Sequence, residues 1–325
     1  MSFGKIRNRL SLFLWALVNM MSVGLFISTL MGFLGTWWWI FDLISHFRVQ
    51  YLLGLLVLLL VYGIGKRPRS VVVTAVFVFV NLILILPLFI RPSVTQSEEQ
   101  AYRILYANVR TENQQHDLIR KLIEETDPDF VTLLEVNRAW LDDLNLAEIG
   151  YPYSQVEARP DNFGVAFYSR FSLEQSEIRR YGHFDLPSVV AHLRIDDVPV
   201  TFIVTHPVPP KSESLTLNRN IQMSEISNFI AEQDGALILA GDLNATSWSP
   251  FLREWLHISQ LRDSRRGFGV QPTWPTFNWI FLVPIDHILI MPDVQVHHRE
   301  VGPNIGSDHY PLLLEFSLSD NDDIE

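Results

Sequence analysis

The chain has 325 residues and no cysteine, so a disulfide framework and a thiolate metal site are both excluded. Residues 1–91 carry eight basic side chains and one acidic one, whereas residues 92–325 carry 17 basic and 35 acidic ones, a net charge of −18. Sequence-independent binding of nucleic acid relies on lysine and arginine, so the second part is a poor candidate for that function.

Three uncharged apolar stretches open the chain, at about residues 10–35, 49–64 and 70–90. The first and third are long enough to cross a bilayer as helices, and the second is near the lower limit. The alternatives are a signal peptide for the first stretch and buried helices of a soluble protein for the others. No small-residue cleavage site follows the first stretch. Residues 1–91 are therefore predicted to be a membrane anchor with three transmembrane helices.

The basic residues predict how this anchor is oriented. Residues 5–9 and 66–69 hold three basic residues each, whereas the connections on the other side hold only Arg48 and Arg91. The positive-inside rule then places the N-terminus in the cytoplasm, and three spans place the rest of the chain outside it. We expect an integral protein of the inner or plasma membrane, with the tryptophans at 37–39 at the outer interface.

The remainder of the chain divides by composition. Residues 92–100 are polar and are predicted to be a tether, residues 101–318 are long enough to bury a core of their own, and residues 319–325 form an acidic tail. Hydrophobic patterns predict strands at 102–109, 130–136, 164–169, 188–195, 198–205, 236–240, 284–290 and 312–318, and helices at 115–125, 216–233 and 251–258.

Polar side chains stand where several predicted strands end. Asn108 ends the first strand, Glu135 lies near the end of the second, and His206 follows a strand that Pro207 stops. A buried strand rarely carries a glutamate unless that side chain is paired or bound to a ligand. The alternatives are that Glu135 already lies in water beyond the sheet, and that His206 is a solvent-exposed histidine.

Further polar residues follow in the second half of the domain. Asp242 and Asn244 come directly after an apolar run and, being two residues apart at a strand end, point to the same side. Asp286 opens another predicted strand, and Asp308 and His309 precede the last one. Taken singly, these features also fit a loop turn, a surface pair on an edge strand and a capped turn.

Together these motifs resemble the endonuclease/exonuclease/phosphatase superfamily, which includes DNase I, exonuclease III, neutral sphingomyelinases and inositol-phosphate phosphatases. The motifs are Asn108, Leu134-Glu135-Val136, His206, Gly241-Asp242-Leu243-Asn244, Ile285-Asp286-His287 and Ser307-Asp308-His309-Tyr310-Pro311. The resemblance covers residues 101–318, and with the spans the layout is similar to bacterial membrane-anchored members. It implies an α/β (α+β) fold, a four-layered sandwich of two packed mixed sheets with helices outside and an active site at one end.

The resemblance also implies hydrolysis of phosphoesters with Mg²⁺, or Mn²⁺ as the alternative, because a hard cation bound by oxygen ligands neutralises the anionic phosphate. The expected metal ligands are Glu135, Asn108 and Asp308. His309 is expected to act as general base, with Asp286 orienting it.

The remaining expected roles concern the water and the phosphoryl group. Asp242 would place the attacking water, and Asn244 would donate to a phosphoryl oxygen. His206 resembles the second histidine of the DNase I and sphingomyelinase branch, which stabilises the phosphoryl group or protonates the leaving oxygen. The sequence does not determine which residue orients His206; Asp161 or Asn162 lies at about the right place. Arg219 and Asn220 are candidate phosphate contacts, with ordinary helix-surface residues as the alternative.

The sequence therefore favours a membrane-anchored phosphoesterase that acts on phosphodiesters or phosphomonoesters of lipid head groups or small molecules. An extracytoplasmic nuclease and a non-catalytic membrane module are the alternatives. The expected partners are the phosphoester substrate and the lipid bilayer, with no specific nucleic-acid partner evident. The substrate, the number of metal ions and the oligomeric state are left open by the sequence.

Overall fold

The computed structural model describes residues 3–91 and 100–318. The predicted acidic tail, and the predicted tether up to residue 99, lie outside the described residues. The chain forms two compact units. The first is Met1–Pro87 together with Trp248–Pro250, and the second is Leu88–Ser247 together with Phe251–Glu325.

Four helices make up the first unit. They are α1 (Phe3–Met31), α2 (Trp39–Ser45), α3 (Arg48–Ile64) and α4 (Pro68–Ile85). By length and composition, two segments of the described chain are apolar enough to cross a membrane, Arg7–Met31 and Pro68–Phe89. A third span results if α2 and α3, which meet at a bend of 63°, count as one.

Polar side chains are buried between these helices. Arg48, which was predicted to lie in a connection between two spans, is the first residue of α3 and is fully buried. Its Nη1 donates to the carbonyl oxygen of Thr29 at 2.7 Å, and Asn81 Nδ2 donates to Thr29 Oγ1 at 3.1 Å. A charged side chain among apolar helices is tolerated only with such partners. Arg48 therefore belongs to the packing of the helices, which corrects its earlier interpretation.

Twelve strands and four helices form the described part of the second unit. The strands are β1 (Tyr102–Asn108), β2 (Phe130–Leu134), β3 (Tyr153–Glu157), β4 (Val165–Ser169), β5 (Leu173–Tyr181), β6 (Leu186–Ile195), β7 (Val198–Thr205), β8 (Ala236–Asp242), β9 (Arg262–Asp263), β10 (Asp286–Ile290), β11 (Val294–Val301) and β12 (Leu312–Leu318). The helices are α5 (His116–Thr126), α6 (Arg138–Leu144), α7 (Glu213–Ile230) and α8 (Pro250–Ser259).

The strands form two six-stranded sheets. Sheet I has the order β11-β12-β1-β2-β4-β3, and sheet II has the order β5-β6-β7-β8-β10-β9. Within sheet I, β1 and β2 are parallel and α5 connects them; within sheet II, β7 and β8 are parallel and α7 connects them. Parallel neighbours end at the same edge of a sheet, so each sheet gathers two of its strand ends in one place.

Three apolar cores separate four layers. One core lies between the sheets and includes Ile104, Phe130, Phe202 and Phe316. A second packs α5 and α6 on the outer face of sheet I, and a third packs α7 and α8 on the outer face of sheet II. β8 is buried along its whole length. Because both of its faces are covered, its sequence is a nearly continuous apolar run. The predicted four-layered sandwich is confirmed.

Candidate active site

Sheet I supplies an amide and a carboxylate at one edge. Asn108 ends β1, and Glu135 comes directly after β2, which runs parallel to β1. Asn108 Nδ2 donates to Glu135 Oε1 at 2.9 Å. Glu135 is only 7% exposed, and burial raises the pKa of its carboxyl group, although His206 and the Asn108 amide oppose this rise. The alternative that Glu135 lies in open water is wrong.

The backbone around Glu135 packs so closely against residue 164 that only glycine fits there. Glu135 adopts a positive φ of 61°, and its N–H donates to the carbonyl oxygen of Gly164 at 2.8 Å. A Cβ on Gly164 would lie 1.8 Å from the carbonyl oxygen of Val136, which no side chain tolerates. The glycine therefore permits the close approach of chain segments that turns Glu135 toward the site.

Sheet II supplies two aspartates on neighbouring strands. Asp242 ends β8 and stands opposite Asp286, the first residue of the antiparallel β10. Both side chains are buried. Gly241 precedes Asp242 because a Cβ there would lie 2.2 Å from the carbonyl oxygen of Thr205 on β7. The carboxylates therefore meet at the same edge of the sheet, and Asp286 is not part of an exposed edge pair.

His309 connects the two sheets at this edge. The loop before β12 is fixed to β1 because Ser307 Oγ donates to the carbonyl oxygen of Asn108 at 2.8 Å. His309 Nδ1 lies 2.8 Å from Asp286 Oδ2, which fixes the imidazole so that Nε2 faces Asp242 Oδ2 at 3.7 Å. Burial alone would lower the pKa of His309, but the carboxylates of Asp286 and Asp242 outweigh it and raise the pKa.

Asp286 is the better anchored of the two aspartates. Besides His309, the hydroxyl of Tyr106 donates to Asp286 Oδ1 at 2.6 Å. Burial opposes its ionisation, but the His309 imidazole and these hydrogen bonds hold the pKa of Asp286 below its ordinary value. Sequence reasoning missed Tyr106, although a signal existed: Tyr106 and Asn108 are two residues apart on one strand and share a face.

His206 has a different partner from the expected ones. Its Nε2 lies 3.5 Å from Asp242 Oδ2, and its ring lies 5.2 Å from that of Phe163. Burial lowers the pKa of His206, but the hydrogen bond and charge of Asp242 outweigh this and raise it. Asp161, an expected orienting partner, instead forms two hydrogen bonds with Arg159.

Asn244 and its neighbours form the next part of the site. Asn244 has a positive φ of 51°, its N–H donates to Asp242 Oδ1, and its Nδ2 donates to the carbonyl oxygen of Pro207. An amide nitrogen carries two hydrogens, so one remains for a ligand. The guanidinium of Arg219 is fully buried and donates to Asn220 Oδ1 and to the carbonyl oxygen of Asn244. Arg219 thus lies behind the Asn244 loop, so the alternative that it is an ordinary helix-surface residue is wrong.

Asp308 is partly exposed. Its Oδ2 accepts a hydrogen bond from Trp274 Nε1 at 3.3 Å, and its carbonyl oxygen accepts one from Thr276 N. The loop that carries Trp274 and Thr276 therefore borders the site. Within that loop, Phe277, Trp279 and Ile280 are exposed by 77%, 79% and 52%.

Two groups of side chains have the chemistry to hold a cation. Asp242, Asp286 and His309 offer ligand atoms within 4.8 Å of one another. Both oxygens of Asp286 already accept hydrogen bonds, however, and the His309–Asp286 pair by itself accounts for this proximity.

The Glu135 carboxylate fits a magnesium ion better, with Asn108 Nδ2 holding its Oε1 while Asn108 Oδ1 accepts a hydrogen bond from Arg110 N at 3.1 Å. Only Oε1 of Glu135 has a hydrogen-bond partner among the described residues, and no lysine or arginine of the described chain pairs with its carboxylate. A buried carboxylate without a cation is costly, and oxygen ligands suit Mg²⁺.

Comparisons with known proteins identify the family and the fold of this chain. A model of the "Endonuclease/Exonuclease/phosphatase family" matches residues 105–309. A humanized D. rerio TDP2 has 17% sequence identity and a TM-score of 0.56, over 67% of this chain and 99% of that one. The human Nocturnin catalytic domain with bound sulfate has 18% identity and a TM-score of 0.56, over 67% and 95%.

A third solved structure extends the likeness to bacteria. An endonuclease/exonuclease/phosphatase family protein from Bacteroides thetaiotaomicron has 17% identity and a TM-score of 0.57, over 69% of this chain and 97% of that one. At such identities the likeness establishes the fold alone. No curated protein matches the chain significantly in sequence.

Proposed function

Because this chain belongs to the endonuclease/exonuclease/phosphatase family, we propose that it is a membrane-anchored, divalent-metal-dependent phosphoesterase. The observation that carries the proposal is the His309–Asp286 pair facing Asp242, beside the Asn108–Glu135 pair. A carboxylate that holds Nδ1 of an imidazole leaves Nε2 to accept a proton from a water, and here Asp242 faces that Nε2.

The residues divide the work of hydrolysis between them. Glu135 and Asn108, with Asp308 as a third candidate, would hold Mg²⁺ or Mn²⁺, which when bound neutralises charge on the phosphoryl group. Neutral His309 accepts the proton of the attacking water at Nε2 while Asp286 holds Nδ1. As the water oxygen bonds to phosphorus, the P–O bond to the leaving group breaks, and the leaving oxygen takes a proton from His206 or from solvent. Asp242 orients that water. The free N–H of Asn244 and the imidazole of His206 stabilise the phosphoryl oxygens as charge develops.

The surroundings of the site support a lipid head group or another small phosphoester over a nucleic acid. The basic side chains near Glu135 are already paired: Arg110 with Glu112, and Arg159 with Asp161. Neutralised arginines leave little positive charge for a phosphate backbone. A D. rerio TDP2 structure of the same fold contains a single-stranded DNA product, so an extracytoplasmic nuclease stays the second candidate.

The exposed loop beside Asp308 favours a lipid substrate in particular. Residues 270–285 contain no charged side chain, in a unit whose surface is otherwise strongly acidic. Tryptophan and phenylalanine are favoured at the boundary between water and lipid, whereas acidic surfaces are repelled by anionic membranes. This loop is therefore the surface best suited to approach a bilayer that carries the substrate.

The substrate class is tested with the full-length protein in lipid nanodiscs and Mg²⁺. The panel consists of sphingomyelin, phosphatidylinositides, a soluble generic phosphodiester, DNA and RNA. We expect a phospholipid to be hydrolysed fastest. A variant with Phe277, Trp279 and Ile280 changed to serine should lose about tenfold in rate on phospholipid in the nanodiscs, through lost apolar contact, yet keep its rate on the soluble diester. Faster cleavage of DNA or RNA would support the nuclease. If no substrate of the panel is hydrolysed, the result would support the non-catalytic module.

The proposed location is the membrane, with the N-terminus cytoplasmic and the catalytic unit extracytoplasmic. The support is the excess of basic residues before the first apolar stretch and between the second and third. Alkaline phosphatase, which needs an oxidising compartment, should be active when fused after Glu325. Green fluorescent protein at the same position should be dark when exported through the general secretion route. The opposite pattern would reverse the proposed orientation.

A further inference from the structure

Tyr106 joins the two sheets beside the site. It lies on β1 of sheet I, is fully buried in the core between the sheets, and donates its hydroxyl to Asp286 Oδ1 at 2.6 Å. Asp286 lies on β10 of sheet II. Its other oxygen faces His309 Nδ1, on the loop that leads into β12 of sheet I. Tyr106 and His309, which hold the two oxygens of this carboxylate, thus both come from the opposite sheet, and the Thr273 hydroxyl adds a third hydrogen bond.

The arrangement fixes the carboxylate in two directions. A buried carboxylate with a single partner rotates about its last bond, whereas one that accepts a bond on each oxygen does not. Tyrosine is suited to this because its rigid ring has few rotamers, and burial in the core fixes the ring. Asn108, two residues further along β1, contacts Glu135 in the same way. One strand therefore supports both the Asp286–His309 pair and the Glu135 carboxylate.

We propose that Tyr106 is a positioning residue, which holds Asp286, and through it His309, in the orientation that proton transfer requires. The inference rests on the proposed phosphoesterase function. Tyr106 contacts neither substrate nor reacting atoms. Its contribution is the hydroxyl group, since the ring alone would serve equally well as an apolar core residue.

The same strand contains a matched control. Tyr102 lies four residues earlier on the same face of β1, is also buried, and donates its hydroxyl to Asp196 Oδ2 at 2.6 Å. Asp196 lies in the exposed turn between β6 and β7 and has no part in the site. Tyr102→Phe and Tyr106→Phe thus remove the same bond in the same strand, and only one of these bonds supports a catalytic group.

The test uses full-length protein in nanodiscs with Mg²⁺, assayed on bis(para-nitrophenyl) phosphate and para-nitrophenyl phosphate. Tyr106→Phe should lower kcat about tenfold with little change in KM, the effect expected for one hydrogen bond to a charged group, while Tyr102→Phe leaves kcat nearly unchanged. In an Asp286→Ala background, Tyr106→Phe should cause no further loss. Replacing Tyr106 with para-aminophenylalanine, which keeps a donor in place, should restore most of the rate.

Several outcomes would overturn the inference. Equal losses for the two tyrosine variants, or a loss from Tyr106→Phe that persists without Asp286, would show a general packing role. A Tyr106→Phe protein that does not fold, as judged by circular dichroism, would also show that Tyr106 has a general packing role. A wild-type protein that is inactive on every phosphoester would instead refute the proposed function, and the inference with it.

Discussion

Replacing Glu135 with glutamine is expected to lower kcat/KM by about a thousandfold, since it removes the proposed cation ligand with its several kcal/mol of charge stabilisation. Glutamine keeps the size of the side chain and can still bond to Asn108, so the fold should be retained. What is lost is the negative charge of the carboxylate, which contributes most to binding a hard divalent cation. The measurement is steady-state hydrolysis by full-length protein at increasing Mg²⁺ concentrations.

A binding measurement separates the two candidate cation sites. Mn²⁺ binding followed by electron paramagnetic resonance should weaken more than about tenfold in Glu135→Gln, since a direct ligand matters at least as much as an outer-shell one. If the cation instead sits among Asp242, Asp286 and His309, the affinity of Glu135→Gln for Mn²⁺ should match that of the wild type.

A surface glutamate provides the control. Glu124 lies on α5 and pairs with Arg120 through exposed side chains, away from the strand ends that form the site. Glu124→Gln removes one negative charge from the same unit and should leave both hydrolysis and Mn²⁺ affinity unchanged. A comparable loss in this variant would mean that net charge, rather than the Glu135 carboxylate, governs the affinity.

The strand ends of this site were predictable from the sequence because apolar runs and polar residues adjoin there. The runs before Asn108, His206 and Asp242 have the length of buried strands, and period-two alternation fixes which side chains point together. The pairing of the strands was not predictable in this way. Asp286 meets Tyr106 across 180 residues of chain, and only the order of strands in the sheets brings them together.

The strands that were not predicted, β3, β5, β9 and β11, all lie at the edges of the two sheets. Strands β3 and β11 lie at the edges of sheet I and mix polar with apolar residues, so neither shows a clear period. The two-residue strand β9 is too short to leave a pattern. Hydrophobic periodicity reports burial, and edge strands are buried on one side at most.

Two arginines show where local reasoning fails for a different cause. Arg219 stands in the polar first half of α7, and Arg48 stands between two apolar runs, so each resembles an exposed residue in sequence. Both are fully buried in the fold. In each case a distant backbone carbonyl receives the guanidinium: that of Asn244 for Arg219 and that of Thr29 for Arg48. Hydrogen-bond acceptors this far away in the chain cannot be predicted from the residues next to each arginine.

The second large effect is expected at the His309–Asp286 pair. His309→Asn should lower kcat by about a thousandfold, the contribution typical of a positioned general base, and Asp286→Asn by about a hundredfold. Asparagine at 286 keeps a polar group opposite Tyr106 but removes the charge and allows the wrong imidazole tautomer. Rates are measured with the full-length protein on the soluble diester at saturating Mg²⁺.

The double variant decides whether the two residues act as one unit. If Asp286 works only by orienting His309, then His309→Asn combined with Asp286→Asn should be no slower than His309→Asn alone. Losses that multiply would show that Asp286 has an independent role, such as binding the cation with Asp242. These kinetics of the single and double variants therefore also test whether the cation sits among Asp242, Asp286 and His309.

A second histidine–aspartate pair in the same unit serves as the control. His116 Nδ1 lies 2.6 Å from Asp143 Oδ2, and its ring packs against Trp140 on the outer face of sheet I, away from the strand-end site. His116→Asn removes an equally close pair and should leave kcat unchanged, with any cost confined to thermal stability. Both are close histidine–aspartate pairs, so a kinetic loss confined to His309→Asn identifies its buried position, facing Asp242 across 3.7 Å, as the source of catalysis.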